Sequence, residues 1–233
     1  MSEPRVLVER RDGIMVLTLN RPAKLNAIDN ELAEELLGAI DDALRNEAVR
    51  VLLLRGAGRA FCAGRDVGAP PTQQDLLLVQ AVAQAIVALP KPVIAAVHGW
   101  TVGAGVEWML DADLVVAAND TRFRLPEASL GVFVTGGLTA TLPASVGLAR
   151  AKALMLLGSE FSAAQAQAWG MVWQVVDPSD LESASLRVAM RVAELRPDVA
   201  AQFKRVLNQV GMDKFVRAVA LENEAQTALS ENR

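Results

Sequence analysis

The sequence predicts an α/β protein: a layered core of strands and helices, then a helical C-terminal part. Three observations carry this. Short apolar runs of strand length alternate with segments of helical period through the first half of the chain. One apolar run passes through a glycine-rich turn directly into a helix-forming segment. The C-terminal half is mostly helical in pattern, punctuated near Gly158, Gly170, Pro178, Pro197 and Gly211.

Taken in order, residues 14–19 are continuous apolar strand, and residues 6–9 pair with them across the turn Asp12-Gly13. Asp29 is placed to cap a helix running to Arg45, with Leu32, Leu36, Ile40 and Leu44 on one face. Residues 49–54 form a buried strand that ends in a loop over 55–59. A helix follows over 73–89, closed by Pro90 and Pro92. Then come a strand over 93–97, a helix over 103–110, a strand over 114–117 and a last strand over 172–176. No linker divides the chain into independent domains.

Composition narrows the function. A hydrophobic fraction of 52% over 233 residues is enough for a sizeable core. The expected location is cytoplasmic: no apolar run has membrane-spanning length, and residues 1–5 lack a signal-peptide pattern. A formal net charge of −4 gives no reason to expect nucleic acid as a partner. There is no tyrosine to serve as an acid. His98 and Cys62 are the only residues of their kinds, so no multi-histidine or thiolate metal site and no intrachain disulfide is expected. His98 reads as a structural residue at a strand end and Cys62 as a small packing residue.

The chemistry concentrates in Val97-His98-Gly99-Trp100-Thr101-Val102-Gly103-Ala104-Gly105-Val106-Glu107 and, downstream, Leu125-Pro126-Glu127. Amides at a helix start have no intrahelical acceptor, and the helix dipole adds to their pull on an anion. Small residues at 103–105 let a ligand approach the backbone. An oxyanion site beside one acid, with a second acid further on, points to chemistry at a carbonyl group. The third glycine of a dinucleotide fingerprint is missing.

Four patterns occur in series: Asn20-Arg21-Pro22-Ala23-Lys24-Leu25-Asn26-Ala27, Ala60-Phe61-Cys62-Ala63-Gly64-Arg65-Asp66, Lys91-Pro92-Val93-Ile94-Ala95-Ala96-Val97-His98-Gly99, and Phe123-Arg124-Leu125-Pro126-Glu127-Ala128-Ser129-Leu130-Gly131. In this order and spacing the chain resembles the crotonase family, the enoyl-CoA hydratases and isomerases, from about residue 5 to about residue 225. The resemblance implies a spiral of β-β-α units over 1–180, the acyl-CoA-binding catalytic core, and a helical region over 181–233 that mediates trimerisation. It implies an oxyanion hole from the backbone N–H groups of Arg65 and Ala104, and Glu107 and Glu127 as the paired acids that activate water. Lys24, Leu25, Ala63, Asp66 and Val67 match positions at the CoA and substrate site. Trp100, Phe133 and Val134 are candidates for the acyl pocket, with core packing an equal alternative. No metal and no cofactor is implied, since coenzyme A belongs to the substrate.

The expected activity is enoyl-CoA hydration. The alternatives are an enoyl-CoA isomerase, a hydratase/lyase, or a non-catalytic acyl-CoA-binding member; two retained glutamates favour hydration. The expected assembly is a homotrimer or a dimer of trimers. Leu195, Val199, Phe203, Val206 and Val210 offer apolar surface for it at roughly helical spacing, although core packing would use the same residues.

Overall fold

The computed structural model describes residues 3–66, 68 and 72–231. β1 (Val6–Arg11) and β2 (Ile14–Leu19) form an antiparallel hairpin whose register, Arg11 opposite Ile14, leaves Asp12-Gly13 as the turn. α1 (Asn30–Arg45) begins where expected, with the Asp29 side chain accepting from the Leu32 amide at 2.9 Å. Leu32, Leu36 and Ile40 bury one face of α1, each contributing about 1.5–3 kcal/mol. The expected stripe is corrected at its end: Leu44 is exposed and Ala43 is buried in its place, because the helical period of 3.6 carries a strict i+4 series off the core-facing side.

Three turns of a β-β-α unit follow. β3 (Val51–Gly56) leads to β4 (Ala60–Cys62) and α2 (Gln73–Ala88). β5 (Val93–Val97) leads to β6 (Trp100–Val102) and α3 (Ala104–Asp111). β7 (Leu114–Ala118) leads to β8 (Arg122–Arg124) and α4 (Glu127–Leu130). The first strand of each pair joins a six-stranded sheet in the order β1-β2-β3-β5-β7-β10, and the second joins a four-stranded sheet in the order β4-β6-β8-β9. β9 is Phe161–Ser162 and β10 is Gln174–Val176, so the last strand is shorter than expected.

The central strands β2, β3, β5 and β7 of the larger sheet are covered on both faces, which explains their near-continuous apolar runs. Met15, Leu17, Leu52, Leu54, Ala95, Val97 and Ala117 face the main core with α1, α2 and α3. Ile14, Val16, Val51, Leu53, Ile94 and Val116 face the other side. There Leu181, Ala184, Ala189 and Ala193 of a later helix cover them.

The C-terminal half is helical, as expected: α5 (Leu138–Val146), α6 (Leu148–Leu157), α7 (Ala163–Ala168), α8 (Leu181–Ala193), α9 (Pro197–Gly211) and α10 (Phe215–Glu231). α8 is the helix that closes the open face of the large sheet. α9 starts with proline in its first turn, where the missing N–H costs nothing. One buried ammonium secures α9: Lys204 lies 2.9 Å from the Asp113 carboxylate and donates to Ile86 O and Lys91 O. Its apolar side faces outward, and Phe203 (67% exposed) and Val210 (76% exposed) settle that these side chains are not core within one chain. Among the described residues no helix is long and apolar enough to cross a membrane.

Candidate active site

β4 and β6 run parallel with Cys62 beside Thr101. Three residues beyond each partner stand Arg65 and Ala104, so the register brings two loop amides to the same end of the small sheet. The Arg65 loop is held by the 20–27 segment. Leu25 and Asn26 both adopt positive φ, 52° and 54°, which turns Leu25 O toward the Ala63 amide at 2.9 Å. The cost of that conformation is offset by Asn26, whose fully buried side-chain amide donates to Ala57 O, Ala60 O and Phe61 O. On either side of Arg65, Gly64 O accepts from Ile28 and the Asp66 amide donates to Ile28 O. Among the described residues, the amides of Arg65 and Ala104 have no backbone acceptor.

A cavity of about 460 Å³ is lined in part by these two residues. Ala63, Arg65, Asp66, Ala104, Glu107 and Glu127 line it, which brings together most of the residues singled out in the sequence. Its apolar wall is Leu76, Leu130, Val132 and Phe133. Lys24 and Leu25 do not line the cavity. Leu25 stands one hydrogen bond behind Ala63, and Lys24 is exposed with its charge near Asp66. Val67 lies outside the described residues. Val134 is buried and Trp100 lies at the surface; neither lines the cavity, and of the three acyl-pocket candidates only Phe133 does. His98 and Cys62 are structural as expected: the imidazole Nε2 is 2.9 Å from Gly58 O, and Cys62 is fully buried.

The acids reach the cavity because two glycines leave room. Gly103, the residue before α3, has φ +53°, and a Cβ there would sit 2.6 Å from Glu127 Oε1. A Cβ at Gly136 would sit 2.5 Å from Glu107 Oε2. Glu107 is 2% exposed and accepts from the Thr135 amide through Oε1 at 3.1 Å. The Oε2 atoms of both glutamates are buried without a hydrogen-bond partner among the described residues. Buried oxygens left in that state are expensive unless a water or substrate atom meets them.

Electrostatics follow from the burial. Removal from water pushes the Glu107 carboxyl up to about 8; the charges of Glu127 and Glu222 add to this, and the Thr135 and Gly136 amides oppose it. Burial likewise raises Glu127 to about 7. Two carboxyls sharing one cavity titrate as a pair, and near neutral pH the pair holds a proton on one member. One turn beyond Glu107, Asp111 is buried with both oxygens unpartnered. Burial, then the charges of Glu107 and Glu222, raise it well above the carboxylate range, against the pull of Lys204.

These raised values bind protons more tightly in the folded chain than in the unfolded one. They therefore contribute stability that is complete below the ordinary carboxylate values and is lost as pH rises toward the folded values, about 8 for Glu107. Asp111→Asn removes one such group, so urea unfolding at pH 5 and pH 8 is expected to show a smaller loss of stability with pH in the variant than in the wild type. Equal losses would exclude Asp111 from this linkage.

The side-chain contacts of Arg21 and Arg65, and the places of Glu222 and Gln226, are not assigned by the sequence reading. Arg21 anchors the Asp66 carboxylate through two nitrogens at 3.1 Å. Arg65 reaches Asp75 at 3.2 Å, tying the start of α2 to the loop over 63–66. Gln226 lines the cavity from α10, and Glu222 lies one turn before it. A signal for these two was present: Phe215, Ala218, Val219, Glu222 and Gln226 share one helical face, so two polar residues continue an apolar stripe.

The chain is a β-β-α spiral in which Arg65, Ala104, Glu107 and Glu127 line one cavity. The family model described as enoyl-CoA hydratase/isomerase matches residues 9–233. The chain belongs to the enoyl-CoA hydratase/isomerase family, the crotonases. It is 36% identical over 231 residues to the 1,2-epoxyphenylacetyl-CoA isomerase of Escherichia coli K12, covering 95% of this chain and 88% of that one. It is 35% identical over 237 residues to the 2,3-dehydroadipyl-CoA hydratase of the same organism, covering 99% and 91%. An enoyl-CoA hydratase/isomerase from Xanthobacter autotrophicus Py2 superposes with a TM-score of 0.92 at 31% identity, covering 98% of this chain and 88% of that one.

Proposed function

We propose that the protein is an enoyl-CoA hydratase, adding water across the 2,3 double bond of an enoyl-CoA thioester, with coenzyme A as part of the substrate and no separate cofactor. The observation that carries this reading is the pair Glu107 and Glu127, each with a buried, unpartnered Oε2 at the cavity that Arg65 and Ala104 also line. The thioester carbonyl oxygen accepts from those two amides. A water between the carboxyls attacks the β-carbon and gives its proton to the ionised member. The double-bond electrons move to the carbonyl oxygen as an enolate, which the two amides stabilise by roughly 2.7–4 kcal/mol each. The protonated member then delivers its proton to the α-carbon as the enolate collapses. The raised proton affinities suit this division of labour near neutral pH.

The test is a panel of enoyl-CoA thioesters, read by loss of the conjugated-thioester absorbance and by product mass. Gain of one water identifies hydration. An unchanged mass with a shifted double bond identifies an isomerase, and cleavage into two products identifies a lyase. Binding without turnover identifies a non-catalytic acyl-CoA binder.

The assembly proposed with this activity is a homotrimer, or two trimers stacked, in the cytoplasm. The outward apolar side of α9, with Val199, Phe203, Val206 and Val210, supports it. Light scattering at micromolar protein is expected to give three or six times the 24.9 kDa chain mass. A fully active monomer would refute the need for a neighbour.

A further inference from the structure

α10 lies across the segment that leads into α5, and it holds that segment at several points. Glu222, fully buried, accepts from the Gly137 amide at 2.8 Å, the Thr139 amide at 2.8 Å and the Thr139 hydroxyl at 2.6 Å. One turn later Gln226 Oε1 accepts from the Phe133 amide at 2.7 Å. Two turns before Glu222, the Phe215 ring packs on Gly137, where an added Cβ would lie 2.3 Å from the ring. The segment held in this way supplies the Thr135 amide that donates to Glu107 Oε1 and the Gly136 backbone that leaves room for Glu107 Oε2.

We propose that Glu222 is a positioning residue for Glu107: it fixes the backbone that orients the Glu107 carboxyl and presents a negative charge behind it. The inference rests on the assignment of Glu107 to the hydration chemistry. A buried carboxylate is a costly way to cap two amides of a short helix start, since a neutral acceptor satisfies the same donors with a smaller desolvation penalty. The charge has a second consequence here, because it lies among the influences that keep a proton on Glu107. The other groups facing Glu107 are Glu127 from α4, Asp111 on its own helix and Arg65 from the oxyanion loop; Lys204 of α9 faces Asp111. Glu222 is therefore one of two negative charges, with Glu127, that hold the proton there, and it is the one outside the cavity lining.

The test compares Glu222→Gln and Glu222→Ala with the wild type, using the enoyl-CoA that the wild type hydrates fastest. kcat and KM are measured from pH 5.5 to pH 9.5, alongside thermal unfolding. Glu222→Gln keeps the size and an acceptor oxygen but not the charge. It is expected to remain folded and to move the alkaline limb of kcat to lower pH, because Glu107 then releases its proton more readily. Glu222→Ala also releases the segment and is expected to lower kcat by about tenfold or more with a much smaller change in KM. A Glu222→Gln variant with wild-type kcat and an unmoved alkaline limb overturns the proposal. If neither variant folds, Thr139→Val removes only the hydroxyl donor. A several-fold loss in kcat at unchanged KM supports the positioning role, and wild-type kcat overturns it. Glu107→Gln is run in parallel. If that variant is fully active, the hydration reading itself fails; if it is inactive while the Glu222 and Thr139 variants behave as wild type, only the positioning role fails.

Discussion

Glu107→Gln and Glu127→Gln are each expected to lower turnover of the enoyl-CoA substrate by at least about 10²-fold while leaving the fold intact. Glutamine matches glutamate in size, so the apolar wall and the Gly103 and Gly136 approaches are undisturbed. What disappears is the capacity to take or give a proton at an oxygen that now has no partner. Neither change removes an ion pair among the described residues, because neither buried Oε2 has a hydrogen-bond partner there. Thermal unfolding above pH 7 is accordingly expected to be no lower than in the wild type, since each variant sheds a carboxyl whose burial opposes ionisation. The kinetic measurement is kcat on the best enoyl-CoA. Near-wild-type turnover in either variant would end the two-acid assignment.

The second large effect is expected at a residue whose side chain does no chemistry. Ala104→Pro should cost about 10²–10³ in kcat, whereas Ala104→Gly should retain most activity. Ala104 is the first residue of α3, directly after Gly103. Proline is well accommodated at that helix position, and the amide it removes serves no hydrogen bond of the helix. The substitution therefore deletes one N–H from the cavity with little structural penalty. Glycine keeps the N–H and loses only a methyl. A folded proline variant with full activity would show that the Ala104 amide does not hold the enolate oxygen. A matching experiment at Arg65 is less clean, because that side chain also pairs with Asp75 and ties the start of α2.

The α1 helix, from its Asp29 cap to Arg45, and the strands β2, β5 and β7 were legible from local pattern. Each is long enough to show its period, and each starts or stops at a residue with its own backbone chemistry. The strands β4, β6 and β8 were not legible. Each is three residues long, and three residues carry no period; each exists because the strand before it, already in the large sheet, delivers the chain to a neighbour of the same kind. The β-β-α repeat is consequently invisible as a sequence repeat, although it recurs three times in space. Leu44 shows the same limit on a smaller scale, since an i+4 series drifts off the buried face of a helix.

For the site, residue order supplies the groups: a helix start with small residues at 103–105, an acid in that helix, a second acid after Pro126, and the loop over 63–66. Their presence depends only on which residues occur in what order. That these pieces meet is a result of packing. The register of β4 on β6 levels Arg65 with Ala104, and burial in one cavity raises the proton affinities of Glu107 and Glu127. Packing also decided what stands behind them. Glu222 and Gln226 lie more than a hundred positions from Glu107 in the chain and reach its surroundings only because α10 packs on the start of α5. Proton affinity is set by neighbours and by exclusion of water, and neither is a property of a residue in sequence. Order along the chain fixes which groups are available, and packing fixes which of them share a low-dielectric space.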